Sequence, residues 1–585
     1  MPAKAKAHRI GLFVCHCGLN IAGTVDIPQV LDAFRDEPGV LVSVDYKYMC
    51  SEPGQELIRR KIAEEKLDGV VVAACSPTMH ETTFRRNAES AGLNPYRVEI
   101  ANIREQVSWV HTKDPDAATR KAIEVIRTII EKVRYDEELL PFTLPVVRRA
   151  LVIGGGIAGI QAALDIAAAG FPVLLVEREA RLGGRMAQLS GTYFNFESAG
   201  DLLAQQIEAL GAHPEITVLT ESEVESLNGY VGNFTARIRR RSEDQPREES
   251  VGAIIVATGF DLYPLERLPE YGAGTVPDVI SGLEMEAMLR PDGPTGGRIL
   301  RPSDGRPPRE VVFVQCAGSR DPEHAMPYCS KICCMYTAKQ ARLFRRQCPD
   351  GQAYVFYIDI RSGGKGAEEF VQAAMEEERV LYLRGKVSRI FRDGDKVMVW
   401  GADTLSGQQV EIAADMVVLA TAVVPRQDAR ELAQRLRVGT DMHGFFNEAH
   451  PKLRPVESLT AGIYLAGAAQ GPKDIPETLS QAGAAAAKVL SLFSRHELVQ
   501  EPTIAWVDPE LCSACQLCVP ACPYEARRPH PWKPVVTVNA ALCQGCGACA
   551  MVCPNKASKL RNYTPEQVLA MVDVLFAPAK AQEGT

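Results

Sequence analysis

The sequence predicts an α/β protein in three parts: a small α/β domain over 1–145, a long α/β domain over 146–500 and a cysteine-rich module over 501–585. Three observations predict it. Strand-length apolar runs alternate with helical periodicity from Ala150 to about residue 495. The run Ala150–Ile153 passes straight into glycines at 154, 155, 156 and 159 and then into a helical pattern. After Gln500 a Cys/Pro pattern repeats with a period of 31 residues. A length of 585 residues sets a prior of about four domains. With 46% hydrophobic and 24% charged residues the composition is that of a globular chain. A net charge of −8 without a long basic run lacks the footprint of a nucleic-acid binder. The longest apolar runs, such as Leu67 to Ala74 and Ala484 to Leu492, are core-sized, so no direct membrane span is expected. The opening MPAKAKAHR has the charge of a signal n-region. The apolar run behind it, Ile10 to Val14, is cut short by Cys15 and His16, so the expected location is cytoplasmic.

In the first part, Arg9 to Val14, Val40 to Val44 and Gly69 to Ala74 have strand character, and Gln55 to Glu65 is helical. A longer helix, Ala117 to Arg134, closes the domain, and Pro141 and Pro145 break the chain before the next strand. Further strands are expected at Val173 to Val176, Ala253 to Ala257, Val311 to Gln315, Tyr354 to Ile360, Met416 to Ala420 and Ile463 to Ala466. The stretch Pro291 to Pro308, rich in Pro, Gly, Asp and Arg, is a loop.

Strand, glycine turn and helix at 150–169 are the order a dinucleotide site requires. Gly154 makes the tight turn, Gly156 lets backbone approach a pyrophosphate, and Gly159 permits close helix-to-strand packing. Ile157 and Ala158 open the helix whose N-terminus takes the phosphates. The second strand ends in Glu177 and Arg178, with Glu177 placed to accept from a ribose hydroxyl. Three further stretches are Arg181-Leu-Gly-Gly184-Arg185, Ile254-Ile-Val-Ala257-Thr258-Gly259 and Gly462-Ile-Tyr-Leu-Ala-Gly467-Ala468. They resemble the FAD-binding patterns of the thioredoxin reductase-like flavoproteins, which have two dinucleotide-binding domains. The resemblance implies FAD as cofactor, with Gly467 and the helix opening near Ile475 against the flavin.

In such flavoproteins a later strand carries a second glycine triplet for a nicotinamide nucleotide. Here Glu310 to Gln315 runs instead into Cys316-Ala-Gly-Ser-Arg320, and Cys316, Cys329, Cys333 and Cys334 follow one another within nineteen residues. Four cysteines so close beside a flavin domain point to an iron–sulfur cluster, while the isolated Cys348 reads as a core thiol. Seventeen cysteines in a chain of cytoplasmic character also favour metal or redox chemistry over disulfides.

Cys512, Cys515, Cys518 and Cys522 before a proline recur as Cys543, Cys546, Cys549 and Cys553 before a proline. This is the bacterial two-cluster ferredoxin spacing, in which the fourth cysteine of each run ligates the other cluster. One [4Fe–4S] cluster takes Cys512, Cys515, Cys518 and Cys553, the second Cys543, Cys546, Cys549 and Cys522. Cys15, Cys17, Cys50 and Cys75 each end or follow an expected strand, where the loops of one sheet edge meet. Two readings stand for them: ligands of a fourth cluster, or buried structural thiols. His16 reads as a loop residue beside them rather than a ligand.

Nearly end to end, the chain resembles the A-type iron–sulfur flavoproteins of heterodisulfide reductase (HdrA, of the CoB–CoM enzyme) and their bacterial relatives. The matching pieces are CHCGLNIAG, VAACSPTMHETTFR, VIGGGIAGIQAALDIA, VQCAGSRD, YCSKICCMYTAKQA, LAGAAQGPKDIPETLSQA and the ferredoxin tail. The resemblance implies an oxidoreductase with FAD, a noncanonical cluster on Cys316, Cys329, Cys333 and Cys334, and Lys339 near the flavin where it tunes N5. It implies a homodimer that passes electrons among a hydrogenase, formate dehydrogenase or NADH dehydrogenase donor, a ferredoxin, and disulfide-reducing HdrB- and HdrC-like proteins. Many archaeal members carry an extra ferredoxin insert after the first flavin motifs, whereas Arg185 to Glu249 here has no cysteine.

The expected function is electron transfer within a multi-subunit complex, as a flavin-based electron-bifurcating hub. Its alternatives are a stand-alone NAD(P)H-dependent flavoprotein like the small component of glutamate synthase, a thiol–disulfide enzyme using Cys333 and Cys334 or Cys15 and Cys17, and a conduit that only relays electrons. His80, Glu81, Asp359, Arg361 and the charged run Glu376 to Arg379 read as capping, strand-closing or solvated groups.

Overall fold

The structure is a computed structural model that describes residues 9–576; residues 1–8, the bulk of the n-region-like opening, lie outside it. The described chain forms two compact units, one of residues 9–144 with 499–576, the other of Pro145–Leu498.

In the first unit four parallel strands lie in the order Val40–Tyr46, Ile10–Cys15, Gly69–Ala74, Val98–Asn102. The two central strands are buried at every residue, which is why both are unbroken apolar runs rather than alternating ones. Val98–Asn102 is a fourth strand that the apolar pattern does not announce, because Glu99 and Asn102 interrupt it. The helix Pro115–Tyr135 is capped by the Asp114 side chain accepting from the Ala117 N–H, and it buries Ala118, Ala122, Ile126, Ile130 and Val133 along one face. Residues 499–576 add two short antiparallel pairs, Ala505–Val507 with Ser558–Leu560 and Arg527–Pro529 with Val536–Val538. The helix Pro565–Phe576 packs on Pro115–Tyr135, where the Gln567 side chain donates to the Tyr135 carbonyl at 2.9 Å.

The second unit holds two five-stranded parallel sheets. The first runs Ile463–Leu465, Ala253–Val256, Ala150–Ile153, Val173–Val176, Ile216–Leu219. The second runs Val279–Ser281, Met416–Thr421, Glu310–Ala317, Gln352–Tyr357, Leu381–Arg384. Each is accompanied by a three-stranded antiparallel sheet, Ser222–Val251 and Val387–Ala414 respectively. Two parallel nucleotide-type sheets are the α/β class expected. The stretch 291–308 has neither helix nor strand. Three of the parallel strands, Ile216–Leu219, Val279–Ser281 and Leu381–Arg384, were not expected, being short or partly exposed, and Gln352–Tyr357 ends before Ile360, where Asp359 is bonded to Arg320 and Arg361. Among the described residues no helix is long and apolar enough to cross a membrane.

Candidate cofactor sites

A cavity of about 660 Å³ opens at the C-terminal ends of the strands in the second unit. Its wall includes Gly154, Gly156, Ile157, Ala158, Glu177, Arg178, Gly184, Arg185, Ala257, Thr258, Gly259, Ala468 and Ile475. Of the residues expected at a flavin, Gly159 and Gly467 stand behind this wall. A Cβ on Gly159 would lie 1.9 Å from the Gly154 carbonyl oxygen, and one on Gly467 2.8 Å from Ala158 Cβ, so both serve packing. Gly154 has φ +110°, and a Cβ there would lie 2.5 Å from the Ala257 carbonyl oxygen. Gly156 differs: its φ is −77° and its Cβ would meet nothing nearer than the Gly184 Cα at 4.0 Å. The chain itself does not require glycine there, whereas a ligand lying on the helix N-terminus would.

Glu177 is held by the Gly155 N–H (2.6 Å) and the Glu179 N–H (2.8 Å) at the rim. The Thr258 hydroxyl is buried on the wall without a hydrogen-bond partner in the protein, as expected of a group that bonds a polar ligand atom. The helix Ile475–Phe493 begins with Asp474 and Glu477 in a reciprocal capping box. Burial pushes Lys473, on the same wall, down to about 8. Volume, glycine cradle and orphaned hydroxyl fit an FAD.

Lys339 also reaches this wall, from the buried helix Cys333–Gln347. It is 2% exposed, and its Nζ donates to Glu286 Oε2 (2.7 Å), the Gly191 carbonyl (2.8 Å) and Ser190 Oγ (3.3 Å). Glu286, 3% exposed, also accepts from Gln340 (2.8 Å) and from the Ser190 N–H (2.9 Å). Burial alone would raise the Glu286 carboxyl, and the Lys339 ammonium outweighs it and holds it low. The sequence reading gave Glu286, Ser190, Tyr336 and Lys473 no role, although Tyr336 and Lys473 lie within matching pieces; for Glu286 the available signal was a second glutamate in the helix Gly282–Leu289, beyond the capping Glu284 and among apolar residues.

The same helix begins at Cys333 and Cys334. Cys316, near the end of the central strand of the second sheet, lies within electrostatic range of both, and Cys329 within range of Cys333 and Cys316. Cys316 has φ +60° and Lys331 +63°, backbone that L-residues adopt only where surroundings impose it. Hydrogen bonding from Cys333 draws Cys334 down to about 7, while burial pushes Cys316 up to about 11. Asp359, bonded to Arg320 at 2.5 Å and to Arg361 at 3.1 Å, sits beside this group, and its backbone carbonyl lies 3.8 Å from Cys334 Sγ. Strand closing describes Asp359 and Arg361 only in part: they also put charge next to the cysteines.

In the first unit Cys15, Cys17, Cys50 and Cys75 end or follow adjacent parallel strands, and Cys15 lies within electrostatic range of the other three. Cys15 Sγ accepts from the N–H groups of Cys17 (3.3 Å) and Met49 (3.4 Å). Arg104, unmarked in the sequence, donates to Cys17 Sγ at 3.2 Å. His16 is turned to Asp45, 2.6 Å away. In the C-terminal segment Cys512, Cys515, Cys518 and Cys553 line one small cavity, so the fourth cysteine of the second run joins the first three of the first run. Among the described residues no three His, Cys, Asp or Glu side chains are close enough to hold a single metal ion, whereas a cluster takes one thiolate at each of several irons. Cys348 is half-buried and packs against the apolar core of the second sheet.

A family model described as FAD dependent oxidoreductase matches residues 150–258, and one described as 4Fe-4S dicluster domain matches residues 511–557. The chain thus carries an FAD domain and a [4Fe–4S] domain. The second iron-sulfur A chain of the CoB--CoM heterodisulfide reductase of Methanopyrus kandleri is 41% identical, over 88% of this chain and 90% of its own. The A component of the H(2):CoB-CoM heterodisulfide,ferredoxin reductase of Methanothermobacter thermautotrophicus is 41% identical over the same shares. Among solved structures, thioredoxin reductase of T. acidophilum is 18% identical with a TM-score of 0.40, over 60% of this chain and 99% of its own.

Proposed function

The chain belongs to the HdrA family of heterodisulfide reductases, FAD and iron–sulfur electron-transfer oxidoreductases, and from that premise we propose that it is the flavin-centred electron hub of a heterodisulfide reductase-type complex. The observation that carries this reading is the helix Cys333–Gln347, which starts in the four-cysteine group and has Tyr336 and Lys339, with its N-cap Ile332, on the cavity wall. A flavin and a cluster held at these two places would be neighbours on one rigid element.

FAD, when bound, supplies the exchange between two-electron and one-electron transfer that clusters lack. The chain's part is to hold and orient. The amides at Ile157 and Ala158 would receive the pyrophosphate, Glu177 the ribose, and Gly259, Ala468 and Ile475 the ring end, with Lys339 fixed there by its ion pair with Glu286. Cys316, Cys329, Cys333 and Cys334 would hold the noncanonical cluster, and Cys15, Cys17, Cys50 and Cys75 one in the N-terminal part. The cysteines at 512–553 would hold two more, in the crossed pairing described above. Lys339, as the cation at the ring, would favour added negative charge on it and so set where electrons divide.

The further partners are a donor of hydrogenase, formate dehydrogenase or NADH dehydrogenase type, a ferredoxin, HdrB- and HdrC-like proteins, and a second copy of this chain. Their support is family membership; the Methanothermobacter relative's name includes H2 and ferredoxin. Seventeen unbridged cysteines favour a reducing, cytoplasmic setting. Iron, acid-labile sulfide and flavin measured on protein purified without oxygen test the reading. About sixteen iron per FAD is expected for four [4Fe–4S] clusters, and about eight would confine clusters to the C-terminal segment and overturn it.

A further inference from the structure

We propose that Arg527 is a fixed cation shared by the two cluster sites of the C-terminal segment, and that it holds both reduction potentials less negative than the cysteines alone would set them. This rests on the reading that the cysteines at 512–553 hold two clusters.

Arg527 begins the short strand Arg527–Pro529 and is 2% exposed. Its Nη2 donates to Cys549 Sγ at 2.8 Å and also to Ser558 Oγ. The Ser558 N–H in turn donates to Cys553 Sγ at 3.4 Å. Cys549 belongs to one ligand set and Cys553 to the other, so a single guanidinium touches one set directly and the other through one serine. Its Nη1 is buried with no hydrogen-bond partner, and among the described residues no carboxylate pairs with it. Burying an unpaired guanidinium is strongly unfavourable, and it is tolerated where negative charge lies close by. Thiolate-ligated clusters on both sides would supply that charge.

The direction of the effect follows. Each cluster gains one electron and no proton on reduction, so the site becomes more negative. A fixed positive charge in a low-dielectric environment favours that state, and an N–H donated to a ligand sulfur adds to it. Arginine suits the task because the two N–H bonds of Nη2 diverge in one plane, one for the sulfur and one for the hydroxyl, on a group that keeps its charge; lysine would keep the charge but not that planar geometry.

The test uses the full chain with its clusters loaded, iron content measured, titrated with dithionite and followed by electron paramagnetic resonance. Arg527→Gln is expected to lower the midpoint of the cluster on Cys549 by at least tenfold in the reduction equilibrium, about 59 mV for one electron. The other cluster should shift less in the same direction, and Arg527→Lys should restore most of the loss. Unchanged midpoints in an iron-replete Arg527→Gln chain would overturn the proposal while leaving the cluster reading intact. A wild-type C-terminal segment without clusters would remove both. Should Arg527→Gln fail to retain iron, wild-type protein grown with nitrogen-15 arginine decides: a nitrogen-15 hyperfine coupling to the reduced cluster is expected, it should vanish in Arg527→Lys, and its absence from the wild type overturns the proposal.

Discussion

Lys339 and Glu286 are a buried ion pair with every donor of the ammonium in use, and removing one member leaves the other stranded. Lys339→Met is expected to destabilise the flavin unit by about 3–5 kcal/mol, read as a drop in its urea midpoint. Lys339→Met with Glu286→Gln should recover most of that, because no charge then remains unpaired; a double mutant as unstable as the single would show that the lysine acts by packing. Lys339 was legible in the sequence through the family resemblance, Glu286 was not. A carboxylate that comes to its partner through folding, 53 positions away in the chain, leaves no local trace. Arg104 and Arg527 escaped for the same reason: nothing in a linear pattern tells a guanidinium that meets a sulfur from one that meets water.

At the scale of elements, the glycine turn separates what the chain needs from what its ligand needs. Gly156→Ala should leave unfolding within about 0.5 kcal/mol of the wild type yet lower retained flavin at least tenfold, whereas Gly154→Ala should lose both. Equal flavin content in Gly156→Ala and wild type would remove the pyrophosphate from this turn. The central parallel strands and glycine turns were readable because fully buried strands are uniformly apolar; outer parallel strands such as Val98–Asn102, Ile216–Leu219 and Leu381–Arg384 and the two three-stranded antiparallel sheets were not, since polar or exposed positions break their pattern.

The helix Pro115–Tyr135 makes a second case. Lys132, buried on it, serves both Glu99 (2.6 Å) and Asp136 (3.0 Å). Burial, only partly offset by that shared lysine, raises Asp136 to about 7. A carboxyl whose folded value lies above its unfolded one binds more protons folded, so its contribution is present at low pH and is lost as pH rises through 7. The denaturation midpoint of this unit is therefore expected to fall from pH 6 to pH 8 in the wild type and to fall less in Asp136→Asn. Lys132→Met, which leaves the buried Asp136 and the part-buried Glu99 without their cation, should cost about 3–5 kcal/mol at pH 8.

Across the whole molecule, the second parallel sheet repeats the plan of the first but ends its central strand, Glu310–Ala317, in a cysteine where a nucleotide sheet would have glycines. NADH alone is accordingly expected not to bleach the bound flavin under anaerobic mixing; rapid bleaching without a partner would return the chain to the self-sufficient flavoproteins. The C-terminal segment distributes its thiols unevenly: Cys518 and Cys549 are buried, while Cys515 and Cys546 lie open to solvent. Oxidation of cysteine follows exposure and thiolate character, so dissolved dioxygen or peroxide would meet Cys515 and Cys546 before any other cysteine in that segment. Once a cluster has been lost in air, sulfenic acid should then appear first at these two positions, and the chain would lose the electron stores of this segment while the flavin cavity, in the other unit, stayed intact.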